Sequence, residues 1–533
     1  MRRAVFFALC ATVCLWAVAS WAAAPVGPSA DLRAALAAAK SSGLVRSAAS
    51  VERFYAARQY RPAWSADHGA AMRELRVALA GAADHGLTAP DYDPDEIGAA
   101  IAAGKMALAD ILATDGYLTF AGHLMNGRVD PVSIEPAWAP GGRSGELIAH
   151  LEETLRRGDI ERRLDRLAPT QTIYRNLQTA LRIYRAAASP DRWPPIAPGP
   201  LLKLGAEGPR VAALRRRLIA EGLLPKGSDG AAPPLYDRRI LGAVAGFQIR
   251  AGLKPDGIVG PNTRRELNRT RKDRIGQIRA NLERLRWLPD DLGARHIRVN
   301  VADYRLQVWQ DGKIVKTHDV IVGRPYRKTP IFSADISYVI FNPWWFTPDS
   351  IARKDKIGDF RTDPGSIQRL GYEIADRNGN RLDAAAIDWN RYSAQDFPFR
   401  IRQRPGPMNA LGRVKLMLPN RFNVYLHDTP AQELFDHVRR DFSSGCVRVG
   451  NALDLATWAL SGVPGWDRTR IDAVVASGGE TRVDLPAGIP VHFLYLTALG
   501  DPDTIFRFVN DVYGRDPRLI AALDKPPPPA RTH

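Results

Sequence analysis

The chain has 533 residues, of which 45% are hydrophobic and 25% charged, and a formal net charge of +17. That balance excludes an intrinsically disordered chain and is too long for one small domain, so several globular units are expected. The positive charge is spread out, without a run of five Lys or Arg, which excludes a polybasic tail and fits a solvated basic exterior facing polyanions.

The N-terminus reads as a secretory signal peptide over residues 1–22. Arg2 and Arg3 precede the apolar run Ala4 to Val18, and small residues follow, with Ser20-Trp21-Ala22 or Ala22-Ala23-Ala24 as cleavage sites. The apolar core is short for a span, which needs about 20 residues. Counting Ala19 to Ala24 into it would instead leave an uncleaved membrane anchor. Export to the periplasm or cell envelope is the expectation. It removes Cys10 and Cys14, neither of which sits in a lipoprotein box, because Leu9 and Val13 precede them. A single thiol, Cys446, then remains, and no internal disulfide can form. A lone thiol in an oxidising compartment must be buried or used.

Residues 29–195 carry apolar positions at three- and four-residue spacing and predict a helical domain. Within it, DYDPDE (Asp91 to Glu96) lacks the EF-hand glycine, having Glu96 there, and Ala102 stands where the bidentate Glu belongs. An acidic turn and helix start is expected instead. The Pro-rich stretch Arg192 to Pro200 reads as a linker. A small three-helix unit follows over 200–268, with stripes Val211, Leu214, Leu218 and Ala243, Val244, Phe247. An Asp256-Gly257 turn and a capping box Thr263-x-x-Glu266 before Leu267 complete it. The pattern V..L...L...G then AV..FQ...GL..DG.VG..T...L, from Val211 to Leu267, resembles the peptidoglycan-binding module of wall enzymes.

After the basic helix RIGQIRANLERLRWLP the period changes to two. Ile297, Val299 and Val301 alternate with polar residues, Leu306 and Val308 repeat the alternation, and Asp311-Gly312 signals a hairpin. A β-rich domain is expected over 295–475, interrupted at 346–404 by a long polar segment of the kind that forms a lid or binding loop. VKLMLPN and NVYLHDTP return to strand, and ALDLATWAL reads as a helix. A C-terminal strand and helix extension covers 476–518, and 519–533 reads as a disordered tail. The fold class is thus multidomain α + β.

The chemistry concentrates in YLHDTPAQELFDHVRRDFSSGCVRVGN, Tyr425 to Asn451. An unperturbed thiol is mostly protonated at neutral pH and needs a base or a positive charge to become a nucleophile. His427 ends the strand NVYLH and so projects from an edge. Cys446 follows Ser443-Ser444-Gly445, a small run that lets backbone N–H groups converge on an oxyanion. Arg448, two residues on, projects to the same face if extended and can hold a carboxylate. Asp428 or a nearby carbonyl could orient the imidazole. Tyr425 and Asn423 share the strand parity of His427 and are candidate pocket residues, with core packing an equal alternative for Tyr425. His437 is a rival base in the polar segment LFDHVRR, where a solvated surface position is expected. No HExxH occurs and one cysteine cannot supply a thiolate pair, so no metal and no cofactor are expected.

The pattern H-x15-S-S-G-C-V-R-V resembles the L,D-transpeptidase (YkuD-type) signature, with Ser444 where that family usually has a second histidine. RPGPMNALGRVK (Arg404 to Lys415), HDTP (His427 to Pro430), FYAARQYRPAW (Phe54 to Trp64) and IFRFVNDVYGRD (Ile505 to Asp516) are similar to a subgroup of large members with an N-terminal scaffold domain. The resemblance implies cysteine acyl transfer. Cys446 would attack the carbonyl before the terminal D-Ala of a wall tetrapeptide, with His427 as base, and a second stem amine would take the acyl group to give a 3→3 cross-link. It also implies N–H donors at Ser444, Gly445 and Cys446, substrate contacts at Arg448, Tyr425, Asn423 and Ser443, and acylation by carbapenems. Peptidoglycan stems and glycan are the implied partners, in wall biogenesis and cell shape, and no nucleic acid is expected. Hydrolysis by the same nucleophile, as a carboxypeptidase or endopeptidase, and a non-catalytic wall-binding role are the alternatives.

Overall fold

A computed structural model describes residues 30–64, 69–136, 138, 143, 145–186, 195–228, 234–500 and 506–526. The signal-peptide segment 1–22, the first three residues (192–194) of the linker and the chain end from 527 lie outside the described residues. Among the described residues no helix is long and apolar enough to cross a membrane.

The N-terminal region is helical around one central helix, Met106–Asn126, which is buried along nearly its whole length. A helix buried on every side must be covered on every side, and Ala30–Ser41, Ala48–Ala57, Ala70–Ala80, Pro94–Ala102 and Leu147–Arg157 do so. Its buried acids are satisfied by backbone: Asp115 accepts from the N–H groups of Arg46 and Ser47, and Asp110 from those of Ala63 and Trp64. The acidic string at Asp91 does turn into a helix, Pro94–Ala102.

The next unit holds three helices, Pro209–Ala220, Arg238–Arg250 and Pro261–Leu267, around its own core of Val211, Leu214, Leu218, Val244 and Phe247. The expected Thr263–Glu266 capping box does not form. Gly260 is the residue before the third helix, and Thr263 lies inside that helix, exchanging hydrogen bonds with Gln248 and Ile258. The box occurs one element later, where Thr270 and Asp273 cap Arg271–Arg286 reciprocally.

That helix, basic by sequence, is almost fully buried. Each buried guanidinium has a carboxylate: Arg274 with Glu266, Arg284 with Asp516, Arg286 with Glu283. Removing one partner of such a pair costs about 3–5 kcal/mol, because it strands the other charge. Asp516 comes from the helix Asp516–Leu523, whose Leu519 and Leu523 are buried. The segment 519–533, read as a disordered tail, therefore begins as an anchored helix, and Leu519 and Leu523 at four-residue spacing are what anchor it.

The β-domain is a closed barrel of strands β1 (Arg295–Asn300), β2 (Arg305–Gln310), β3 (Lys313–Ile321) and β4 (Ser333–Phe341), followed after an insertion by four more. The insertion carries β5 (Trp345–Phe346), β6 (Tyr372–Ala375), β7 (Arg381–Leu382) and β8 (Arg400–Gln403) as a separate sheet in the order β5-β8-β6-β7. It has its own core around Phe360, Trp389 and Ile401, so the expected lid is a folded subdomain. The barrel resumes with β9 (Val414–Met417), β10 (Leu426–His427), β11 (Val447–Val449) and β12 (Thr481–Leu494). Its order is β1-β12-β4-β9-β10-β11-β3-β2, closed between β2 and β1. Strand β12 pairs with both β1 and β4, so the barrel does not end at residue 475 and the segment from 476 is integral to it. A short pair, β13 (Ala498–Leu499) and β14 (Arg507–Phe508), leads into the C-terminal helix. The hairpin at Asp311-Gly312 forms as its sequence requires, both residues having positive φ.

Candidate active site

Strand register places the chemistry. Leu426 pairs with Leu416 and Val447, and all three are fully buried on the inner face of the barrel. Alternation then sends their neighbours outward: His427 lies opposite Lys415 on one side and Arg448 on the other. Because β10 and β11 are parallel, Tyr425 and Cys446 sit one step along on that same outer face. His427 is thus on an interior strand and not at an edge. The insertion covers this face, with Tyr425 packed against its core.

The His427 ring is 5% exposed and its Nδ1–H donates to the backbone carbonyl of Asp428 at 2.5 Å. That bond leaves Nε2 as the basic nitrogen. Burial, with Arg448 and Lys415 nearby, lowers its pKa to about 3, so the resting imidazole is neutral. The carboxylate of Asp428 does not hold the ring. It accepts from the Arg413 N–H at 2.9 Å, Arg413 Nε at 3.3 Å and Gln432 Nε2 at 3.2 Å. Gly412, at φ +63°, makes room for it: a Cβ there would lie 2.5 Å from the Asp428 side chain.

The cysteine loop is held by hydroxyls. Ser443 Oγ donates to the Cys446 carbonyl at 2.6 Å and accepts the Gly445 N–H at 3.1 Å. Thr329 Oγ1 donates to the Gly445 carbonyl at 2.9 Å, and Gly445 adopts φ +122°, a conformation that disfavours any side chain. Among the described residues the N–H groups of Ser444 and Cys446 have no partner, whereas that of Gly445 is engaged by Ser443. Of the three expected oxyanion donors, two are free. Ser444 Oγ accepts from Arg327 Nη1 at 2.8 Å, and Arg327 is also paired through both terminal nitrogens with Asp355 of the insertion.

The half-buried sulfur of Cys446 points to the carbonyl of Asn423 at 3.7 Å and meets the backbone N–H and hydroxyl of Tyr425. No hydrogen bond joins it to His427. Burial raises the thiol pKa above its ordinary 9.0, the Tyr425 groups, Lys415 and Arg448 opposing only in part. Both groups are therefore neutral at rest. Tyr425 also bonds Trp345 and carries Lys415 Nζ 4.0 Å over its ring. Asn423 has φ +53° and lies in the turn before β10, outside the strand; it is exposed, and its carbonyl faces the sulfur. Arg448 forms no ion pair among the described residues; burial and the like charge of Arg324 disfavour its charge, and the carboxylate of Glu433, outside ion-pair range, favours it. His437 is exposed, beyond a short 3₁₀ turn, stacked edgewise on Phe442. Among the described residues no group of three or more metal-ligating side chains converges.

Arg327, Asp355, Thr329 and Lys415 were not singled out from sequence. Lys415 could have been found by parity, since it is the outward residue of VKLM next to VYLH. Arg327 and Asp355 carry no local signal.

Three family matches coincide with these units: "Scaffold domain" over residues 49–181, "Putative peptidoglycan binding domain" over 207–267, and "L,D-transpeptidase catalytic domain" over 294–472. A "Putative L,D-transpeptidase" of Haemophilus influenzae is 37% identical over 260 residues, covering 49% of this chain and 51% of the relative, about half its length. An N-acetylmuramoyl-L-alanine amidase of Bacillus licheniformis is 46% identical over 71 residues, 13% of this chain and 19% of that one. An L,D-transpeptidase structure from Xylanimonas cellulosilytica aligns over 56% of this chain and 100% of its own at 17% identity and a TM-score of 0.18. Residues 294–472 are an L,D-transpeptidase catalytic domain, preceded in the chain by a scaffold domain and a peptidoglycan-binding domain.

Proposed function

We propose that the protein is an exported L,D-transpeptidase of the cell envelope that forms 3→3 peptidoglycan cross-links through a Cys446 thioester. One observation carries this reading: Cys446, His427 and Arg448 stand on one outer face of two parallel strands, beneath a folded insertion. Arg448, which has no ion-pair partner among the described residues, takes a carboxylate of the donor stem. As the donor enters, the sulfur leaves the Asn423 carbonyl and turns towards His427 Nε2. Sγ attacks the carbonyl carbon before the terminal D-Ala while Nε2 takes the thiol proton. The developing oxyanion meets the open N–H groups of Ser444 and Cys446. The imidazolium then protonates the leaving amine, D-Ala departs, and a thioester remains. A side-chain amine of a second stem attacks it, His427 takes that proton, and the thiol is restored.

A neutral thiol and a neutral imidazole suit this sequence, because the ion pair forms only with substrate, when water is excluded by the insertion. The small helical module would hold glycan near the site. The reaction needs no cofactor. Incubation with disaccharide-tetrapeptide followed by mass spectrometry tests the reading. A cross-linked dimer lacking one D-Ala, absent with Cys446→Ala, is expected. D-Ala release without dimer would show hydrolysis instead.

A further inference from the structure

The outer face of β1 and β2, two to three strands around the barrel from the β11 strand that Cys446 leads into, carries polar residues with no assigned role. Strands β1 and β10 lie four strands apart in either direction around the barrel. Outward residues here are His296, Arg298 and Asn300 on β1, facing Trp309, Gln307 and Arg305 on β2. They line a cavity of about 360 Å³, closed on its far side by the loop Thr170 to Ile173 and by Leu285 to Leu292. Pockets for small ligands are concave, part apolar, and fitted with a few convergent polar groups.

Arg298 is the anomaly. It is half-buried, its Nε donates to His296 Nε2 at 2.9 Å, and its guanidinium stacks 4.0 Å over the Trp309 ring. Among the described residues no carboxylate pairs with it. The acids in the cavity wall are each committed elsewhere: Asp303 to Arg507 at 2.6 and 2.8 Å, Asp290 to Arg143 at 3.3 Å, and Asp291 to the Gly293 N–H at 2.7 Å. Burial alone lowers the Arg298 pKa to about 10, a sign that its charge is desolvated without compensation. The buried arginines of the helix Arg271–Arg286, by contrast, each have a carboxylate. Two further groups in the wall lack partners: Trp309 Nε1, buried with none, and the half-buried amide of Gln307 directly opposite Arg298.

We propose that this cavity binds a small carboxylate, gripped by the open terminal nitrogens of the stacked Arg298 guanidinium, on a part of the barrel wall separate from Cys446. Stacking fixes the plane of the fork and leaves its edge for a bidentate partner. Two sources present such a group in the envelope, the C-terminus of a stem peptide and the lactyl acid of a muramyl sugar that has lost its stem. The site is independent of the transfer reaction and would stand if that reading failed.

Binding of N-acetyl-D-alanyl-D-alanine and of N-acetylmuramic acid to the full chain, followed by saturation-transfer NMR and calorimetry, tests this. Either probe should bind wild type and Arg448→Gln, and bind Arg298→Gln at least about tenfold more weakly, the loss of one charge-assisted pair. The probe that binds identifies the source. Without ligand, Arg298→Gln should melt no lower than wild type, because it removes an unpaired charge, whereas a purely structural arginine would lower the melting temperature. Equal binding by Arg298→Gln, no binding of either probe, or a lowered melting temperature overturns the proposal.

Discussion

Arg327 donates to Ser444 Oγ at 2.8 Å, joining a residue next to the nucleophile loop's glycine to a guanidinium that also grips Asp355 in the insertion. The Ser444 hydroxyl is an anchor point for the loop. Replacing Arg327 by methionine frees both Ser444 and the insertion. Acylation of Cys446 by a tetrapeptide should slow about ten- to a hundredfold, as expected when reacting groups are slightly misplaced, while the melting temperature changes little. Unchanged acylation kinetics would show that the contact is incidental.

The resting thiol should behave as an ordinary, somewhat hindered one. Its pKa is raised above 9.0 by burial and His427 is not bonded to it. Iodoacetamide alkylation should therefore climb about tenfold per pH unit from pH 6 to 9 without an acidic plateau, and His427→Ala should leave that profile in place while abolishing turnover. A plateau near pH 5 would reveal a preformed thiolate–imidazolium pair.

The orienting group for His427 is a carbonyl, so the Asp428 carboxylate is dispensable for the ring. Asp428→Asn keeps the carbonyl and the Arg413 N–H contact, and kcat should fall less than about tenfold. Gly412→Ala, by contrast, places a Cβ 2.5 Å from the Asp428 side chain at φ +63°. It should cost about 1–3 kcal/mol in stability and lower kcat, since backbone strain there moves the carbonyl itself. Urea denaturation and steady-state rates on both variants separate the two effects.

Acid should unfold the protein through its buried histidines. His85, His123 and His427 have pKa values lowered to about 3 and His296 to about 4, chiefly by burial, from an ordinary 6.5. Below pH 6.5 the unfolded chain binds protons that the native state refuses, so stability falls as pH drops from 6.5 towards 3. Each histidine contributes about 1.4 kcal/mol per pH unit across that window. Urea midpoints from pH 7 to 4 should decline steeply, and a flat profile would contradict the burial of these rings.

How much of this was legible follows from the range of each interaction. Strand alternation put Tyr425 on the side of His427, and Arg448 on the side of Cys446, because a two-residue period needs only local sequence. It also put Asn423 with His427, although Asn423 lies in the turn before β10, and the pairing that joins the two sides is not local. The helix Arg271–Arg286 read only as basic, and its burial was not legible, since its carboxylate partners Glu266 and Asp516 come from different elements, one of them 232 residues away from Arg284. Arg327 likewise meets Ser444 across 117 residues. Thr263 misled for a different reason: the Thr-x-x-Glu pattern is local, but Gly260-Pro261 starts the helix earlier and leaves the threonine inside it. The direction of the Cys446 sulfur depends on a rotamer set by Asn423 and Tyr425 and has no sequence signature.

The central claim is that Cys446 becomes acylated with His427 as its proton carrier. Intact-protein mass spectrometry after mixing with a tetrapeptide stem tests it directly. Wild type should gain the donor mass less D-Ala at Cys446, and His427→Ala should acylate at least about a hundredfold more slowly. Equal acylation in both proteins, or an adduct on any residue other than Cys446, would contradict the account.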